Sequence, residues 1–145
     1  MRGRIQIAAV SLVVTVLAGC SSPMANFYTL SVVVAPETAA PVPAESKSSI
    51  AVGPVTVPAS VDRPQLVVRV GANQVAVLEQ HRWAEPLKSE IPRVIADNLA
   101  KLLGTTQVSA YPQSAGDNAE YRVQEDIQRF ESTLGGTVVI GALWS

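Results

Sequence analysis

The N-terminal segment of this chain, residues 1–19, limits what the rest can fold into, because it has the layout of a secretory signal. Arg2 and Arg4 make its start positive, residues 5–18 are almost entirely apolar, and small residues precede Cys20. The apolar run is shorter than the roughly 20 residues that a membrane-spanning helix needs. Removal of the signal leaves 126 residues, which is enough for one modest domain and too few for two.

Cys20 is the only cysteine of the chain, and it follows directly after Leu-Ala-Gly at 17–19. This spacing resembles the bacterial lipobox, in which the cysteine is acylated, with palmitate among the acyl groups, before cleavage. A soluble secreted protein with a stray thiol is the alternative. Several acyl chains hold a protein firmly because each buried methylene contributes about 0.8 kcal/mol. We therefore expect a lipidated tether at 20–25.

The two serines that follow Cys20 bear on the membrane in which this lipoprotein resides. They lack the aspartate that resembles an inner-membrane retention signal. The sequence therefore predicts an anchor in the outer membrane, with the protein on the periplasmic face.

Residues 26–145 are predicted to form a single domain. Residues 26–34 are β-branched and aromatic and predict a short strand. Residues 35–49 are rich in proline and alanine with almost nothing to bury, so they are predicted to be extended and mobile.

Alternating apolar residues predict strands before and after one helical segment. The runs 66–70 and 75–78 flank Gly71-Ala72-Asn73-Gln74 and predict a hairpin. Gly53-Pro54 interrupts the run 50–57 and predicts an edge strand or a bulge. Further strands are predicted at 106–110, at 121–131 with a bulge before Phe130, and at 137–144.

One amphipathic helix is predicted at about 85–104, where apolar residues recur at spacings of three and four and Gly104 suits the C-cap. Pro92 predicts a kink or a late start near Ser89. Strands, one helix and further strands indicate the α+β class, with a mainly antiparallel sheet and the helix packed on one face. One helix covers only part of such a sheet, so the end of the domain is expected to be missing.

The residue types present argue against several chemistries. Without the signal, 9 basic and 12 acidic residues remain, and the basic ones are dispersed, which argues against a nucleic-acid partner. His81 is the only histidine, so the usual zinc sites cannot be assembled in one chain, and we expect no metal and no cofactor. There is no Gly-x-Ser-x-Gly turn, and we expect no enzyme. A lipid-anchored envelope hydrolase that uses His81 is the alternative.

Two connections carry residues of the types found at interfaces. Asp62 and Arg63 lie between two predicted strands, and Arg82 and Trp83 lead into the predicted helix. They could be structural, with the charges solvated and the indole ring packed in the core. The alternative is contact with a partner, because connections expose polar groups and Arg and Trp are enriched at binding hot spots.

These segments and the lipobox together resemble the ABC-type transport auxiliary lipoproteins. The matching stretches follow one another through the mature chain: Phe27-Tyr28-Thr29-Leu30, residues 52–58, residues 62–67, residues 82–87 and Arg129-Phe130-Glu131. The resemblance implies a non-enzymatic outer-membrane lipoprotein that supports envelope integrity and forms ring-like homo-oligomers. Its implied partner is a periplasm-spanning protein of the mammalian-cell-entry type that conducts lipid between membranes. The resemblance also implies further strands and a second helix after Trp144, and it makes Asp62, Arg63, Arg82 and Trp83 candidate partner contacts.

Overall fold

The computed structural model describes residues 23–33, 48–112 and 118–145. The predicted signal, Cys20 and most of the proline-rich segment predicted at 35–49 lie outside the described residues. The described elements, in chain order, are β1 (Asn26–Tyr28), β2 (Ile50–Thr56), β3 (Gln65–Gly71), β4 (Gln74–Trp83), α1 (Leu87–Leu103), β5 (Val108–Ala110), β6 (Tyr121–Ser132) and β7 (Val138–Trp144). None of the helices in these ranges has the length and apolar character needed to cross a membrane.

The strands form two sheets, with the orders β1-β4-β3 and β5-β2-β6-β7. The predicted α+β class is confirmed. The single, mainly antiparallel sheet is corrected to two mixed sheets, because β1 runs parallel to β4, and β5 and β6 both run parallel to β2. The reason is connectivity: a hairpin in the other sheet and α1 separate β2 from β5, and a crossover of this kind brings the chain back in the same direction.

The core lies between α1 and the face of the larger sheet, to which β2, β5 and β6 contribute. Its buried residues fall into two clusters, of which one contains Val55, Val61, Leu87, Ile91 and Ile127 and the other Val52, Ala96 and Ala110. Ile95 of α1 packs against both clusters. The helix therefore buries the apolar stripe that its spacing predicted.

Helix α1 confirms the predicted helix to within two residues at its start and one at its end. A late start at Ser89 is wrong, because the N–H groups of Ser89 and Glu90 already donate to the carbonyl of Pro86 at 2.9 and 3.1 Å. Pro92 lies inside the helix and is buried. Gly104 has φ 62°, so the left-handed C-cap predicted there is confirmed.

Both predicted bulges are present. The pairing of β2 with β6 shifts between Val52 and Val55, where Gly53 lies, and the pairing of β6 with β7 shifts between Ile127 and Arg129. The edge position offered as an alternative for Gly53-Pro54 is wrong, because β2 lies between β5 and β6. The predicted hairpin is confirmed as β3 and β4.

Strand β7 carries the uncovered part of the sheet in the described structure. It lies at the edge of the larger sheet, and its large apolar side chains are exposed, Trp144 to 82%. Helix α1 packs on β2 and β5 instead.

Candidate functional site

The two connections singled out in the sequence meet in one pocket of about 260 Å³, which we call the Trp83 pocket. It is lined by Asp62, Arg63, Pro64, Trp83, Ala84, Glu85 and Pro86. The hairpin explains this meeting, because β3 begins just after the first connection and β4 ends at the second. Antiparallel pairing places these open ends side by side, and the N–H of Trp83 donates to the carbonyl of Pro64 at 2.7 Å.

Asp62 is held in place from two sides. Its N–H and that of Val61 donate to the carbonyl of Pro58 at 3.1 and 3.0 Å, which closes a turn, and Val61 is buried in the core. The carboxylate of Asp62 accepts a hydrogen bond from Lys88 Nζ at 2.6 Å. Both side chains of this pair are partly exposed, so the pair contributes at most about 1 kcal/mol. Its main effect is to join the first turn of α1 to the pocket rim.

Arg63 and Glu85 are the charged residues of the pocket lining that could bind a partner. Both are exposed, and neither side chain has a hydrogen bond or an ion pair within the described residues. Asp62, in contrast, is neutralised by Lys88. Arg63 therefore presents five solvent-facing N–H donors beside an apolar lining of proline, alanine and tryptophan.

Trp83 forms the apolar wall and also belongs to the core. Its ring is half-buried against the larger core cluster and meets Phe130 edge to face, with ring centroids 6.2 Å apart. The sequence left a structural and a partner-contact role open for this residue, and the ring contributes to both the core and the pocket surface.

Arg82 is separated from the other three candidates. Successive strand residues point to opposite faces, so the side chain of Arg82 leaves β4 on the side away from Trp83. Its Nε donates to the carbonyl of Glu79 at 3.0 Å, and it does not line the pocket. The structure thus brings together Asp62, Arg63 and Trp83.

Sequence reasoning missed Glu85 and Lys88. A signal for Lys88 existed, because a cation in the first turn of a helix faces the positive end of the helix dipole and is favoured there only with an anionic partner. Asp62 supplies that partner. Glu85 lies in the stretch 82–87 that resembles the family, and no local pattern distinguishes it from the other residues that lead into the helix.

Glu90 is a further buried polar residue that the sequence did not single out. It is fully buried on α1, and its Oε1 accepts a hydrogen bond from the N–H of Leu30 at 2.8 Å. Arg93 lies 3.5 Å from the same oxygen, whereas Oε2 has no partner among the described residues. The carboxylate therefore fixes the chain just after β1 against the helix.

Glu131, in the last of the matched stretches, joins the two sheets. Its carboxylate accepts hydrogen bonds from Arg129 at 2.9 Å on its own strand and from Arg69 of β3 at 2.8 Å. These hydrogen bonds, that from Arg129 above all, lower the pKa of Glu131. The ion pair with Arg69 is a polar link between β3 and β6.

His81 is not part of a hydrolytic triad within the described residues. Its Nδ1 is hydrogen-bonded to the hydroxyl of Tyr28 at 2.7 Å, and the two rings stack with centroids 5.7 Å apart. A triad needs a carboxylate at one ring nitrogen and a serine at the other, and His81 has a phenol instead. The described ranges also hold no group of three or more His, Cys, Asp or Glu residues that could bind a metal ion.

The fold and the site together define a small α+β domain with a pocket at the open end of a hairpin. A family model described as the ABC-type transport auxiliary lipoprotein component matches residues 28–145. Because this match spans most of the chain, the protein belongs to that family. By its description the family consists of auxiliary lipoprotein components of ABC-type transport, and the matched range includes the whole Trp83 pocket.

Solved structures share the fold. One protein, described only as uncharacterized, superimposes with a TM-score of 0.62 at 19% identity, over 84% of this chain and 69% of the other. Protein XCC0632 from Xanthomonas campestris, of the family DUF330, gives a TM-score of 0.61 at 20% identity, over 83% of this chain and 67% of the other. No curated protein matches the chain.

Proposed function

We propose that this protein is a non-catalytic adaptor of an ABC-type transport system of the mammalian-cell-entry type, anchored by lipid on Cys20 to the periplasmic face of the outer membrane. In this role it docks a periplasm-spanning lipid-transport protein through the Trp83 pocket and supports envelope integrity. Family membership supports the auxiliary role, and the lipobox supports the anchor.

The observation that carries the docking proposal is the convergence of two connections on one pocket with an unpaired arginine. Binding hot spots are enriched in Trp, Tyr and Arg. Trp83 and Arg63 both line this pocket, and the bond to Lys88 pre-organises the rim at Asp62. Docking at this site thus requires little rearrangement, which favours affinity.

Docking is tested with Arg63→Ala, in a pull-down and a titration with the purified transport partner. We expect binding about 30-fold weaker, which corresponds to about 2 kcal/mol, without a change in melting temperature. Lys101→Ala, an exposed basic residue in the last turn of α1, is the matched control and should bind normally. Normal binding by Arg63→Ala rejects the docking surface.

Asp62→Ala and Trp83→Ala separate docking from stability. Asp62→Ala should weaken binding and lower stability by less than about 1 kcal/mol, because it removes only the exposed pair with Lys88. If its stability falls as far as its binding, Asp62 shapes the connection instead. Trp83→Ala should reduce both properties, because it also removes the contact with Phe130.

The anchor is tested separately with Cys20→Ser. This variant should accumulate as an uncleaved precursor and leave the outer-membrane fraction. Normal processing and fractionation of Cys20→Ser would remove the basis of the anchor. We also propose ring-like self-association of the anchored protein, which light scattering of the detergent-extracted lipoprotein measures directly; a monomer under those conditions rejects it.

A further inference from the structure

Two turns lie side by side at one end of the domain. The turn of the β3–β4 hairpin and the turn between β6 and β7 are joined by a bridge between Arg69 and Thr133, and residues of both line a shallow depression of about 460 Å³. We call residues 70–75 and 133–138 the turn end. The Trp83 pocket lies at the other end of β4, whose ten residues span about 30 Å.

The turn end exposes large apolar side chains. Leu134 is 73% exposed, and Val70, Val75 and Val138 are each more than half exposed. Leu134 and Val70 come from different turns and line the same depression. Single exposed apolar residues are common on soluble domains, whereas a group of them at one end marks a surface that meets an apolar partner.

Charge at the turn end is confined to a small positive excess at its border. Residues 70–78 and 132–145 contain no Asp, Glu, Lys, Arg or His. At the border, Arg69 and Arg129 both donate to the carboxylate of Glu131, at 2.8 and 2.9 Å, and Arg69 also donates to the carbonyl of Ala72 at 2.6 Å. Two arginines therefore share one carboxylate. An uncharged apolar surface with a cationic border suits the interface of a bilayer, where acyl chains lie beneath phosphate groups.

The chain enters the domain from the side of the turn end. Strand β1 runs parallel to β4, and Asn26 at its start lies opposite His81. Because β4 begins at the hairpin turn, the N-terminal end of β1 points towards the turn end. The contacts of β1 with its surroundings fix this direction, since the hydroxyl of Tyr28 is hydrogen-bonded to His81. The segment that leads back to Cys20 therefore leaves the domain on the same side as the exposed apolar residues.

We infer that the turn end is a membrane-contact surface, which inserts Leu134 and Val70 into the interface of the bilayer that holds the anchor. This inference rests on the proposed lipid anchor and adds a second contact, made by the folded domain itself. The anchor attaches the protein, and the turn end sets the orientation of the domain on the membrane. In that orientation the Trp83 pocket faces away from the bilayer, where a periplasm-spanning partner can reach it.

The experiment measures contact between a fluorescent dye on the full lipidated protein and the acyl chains of vesicles made of phosphatidylethanolamine and phosphatidylglycerol. Because Cys20 is the only natural cysteine and lipidation blocks its thiol, Asn73→Cys in the hairpin turn and Ser89→Cys in the first turn of α1 each supply one labelling site. Both positions are exposed, and position 89 reports on the pocket end, because the adjacent Lys88 binds Asp62. A nitroxide on the lipid acyl chain quenches only a dye that enters the bilayer. We expect quenching at position 73 and none at position 89.

A substitution at Leu134 tests whether apolar insertion causes this contact. Leu134→Asp should abolish quenching at position 73, because a carboxylate is costly to move out of water. Leu102→Asp, at an exposed leucine in the last turn of α1, is the matched control and should leave quenching at position 73 unchanged. Both variants replace exposed side chains and should melt as the wild type does.

Equal quenching at the two positions, no quenching at position 73, or unchanged quenching in Leu134→Asp overturns the inference. Mass spectrometry of the N-terminal peptide separates this failure from a failure of the proposed anchor. Acylated protein with an unquenched dye at position 73 rejects only the membrane contact of the turn end. Protein without acylation rejects the anchor, and the membrane contact with it.

Discussion

The buried carboxylate of Glu90 makes a quantitative test of how the N-terminal strand is held. Glu90 is fully buried, and its Oε1 accepts a hydrogen bond from the N–H of Leu30 at 2.8 Å. A hydrogen bond to a charged acceptor contributes about 1.5–3 kcal/mol. Glu90→Ala also removes apolar methylene burial of about 0.8 kcal/mol per group. Relief of the desolvated Oε2, which has no partner among the described residues, offsets part of this loss.

We therefore expect Glu90→Ala to lower the free energy of unfolding by about 2–3 kcal/mol, which lowers the melting temperature by about 10 °C for a domain of this size. Glu90→Gln keeps an acceptor for the N–H of Leu30 and should lose about 1 kcal/mol or less. Glu120→Ala, at an exposed glutamate, is the matched control and should change stability by about 0.5 kcal/mol at most.

Thermal unfolding and hydrogen exchange at the amide of Leu30 test this reasoning together. In Glu90→Ala the amide of Leu30 should lose protection, whereas in Glu90→Gln it should stay protected. Equal melting temperatures of Glu90→Ala and Glu90→Gln, with equal exchange rates at the amide of Leu30, would refute this role of Glu90. A Glu90→Ala variant more stable than the wild type would show that the buried charge costs more than its hydrogen bond contributes.

Three further substitutions have defined outcomes. Gly53→Ala should destabilise by about 2 kcal/mol, because Gly53 has φ 100° and an added Cβ would lie 3.0 Å from Tyr111 Cβ; an unchanged melting temperature contradicts this. Two arginines hold the pKa of Glu131 below its ordinary 4.5, so its stabilisation is present above that value and is lost as the pH falls through the lowered pKa. Glu131→Gln should be less stable than the wild type at about pH 7, with the difference vanishing in acid. Burial raises the pKa of Glu125 above 4.5, so its contribution is present below 4.5 and is lost as the pH rises through the raised pKa. Glu125→Gln should therefore gain stability over the wild type on going from about pH 4 to pH 7, and parallel pH profiles would contradict this assignment.

Local pattern was sufficient for the elements themselves. The apolar spacing that predicted a helix at about 85–104 corresponds to α1 at Leu87–Leu103. Alternation around a turn-type tetrapeptide predicted the hairpin, and breaks in alternation predicted the bulges at Gly53 and before Phe130. These features depend on residues close together in the chain, so the sequence contains the information directly.

The first residue of α1 could not be predicted from local sequence alone. Pro92 disfavours a helix that is already running, so the sequence predicts either a kink or a late start near Ser89. In the structure Leu87, Ile91 and Pro92 are all buried. The free energy gained by burying these side chains against the sheet outweighs the loss of one backbone hydrogen bond. This gain depends on tertiary packing, which the local sequence does not show.

Part of the Trp83 pocket could be predicted from the sequence. The hairpin register alone brings Pro64 and Trp83 together, because both flank strands joined by a short turn. The pair of Asp62 with Lys88 and the contact of Ala84 with Tyr28 join residues 26 and 56 positions apart. No local pattern encodes such contacts.

The sequence by itself determined which segments become strands or helix, that the domain is α+β, and which two connections carry interface-type residues. Only the tertiary structure decided that the strands divide into two mixed sheets, that β2 is central, and that β1 pairs with the end of β4 that reaches the pocket. The physical reason is that secondary structure follows side-chain periodicity along the chain. Strand order and the meeting of distant connections follow from burying the α1 stripe and satisfying backbone hydrogen bonds across the whole molecule at once.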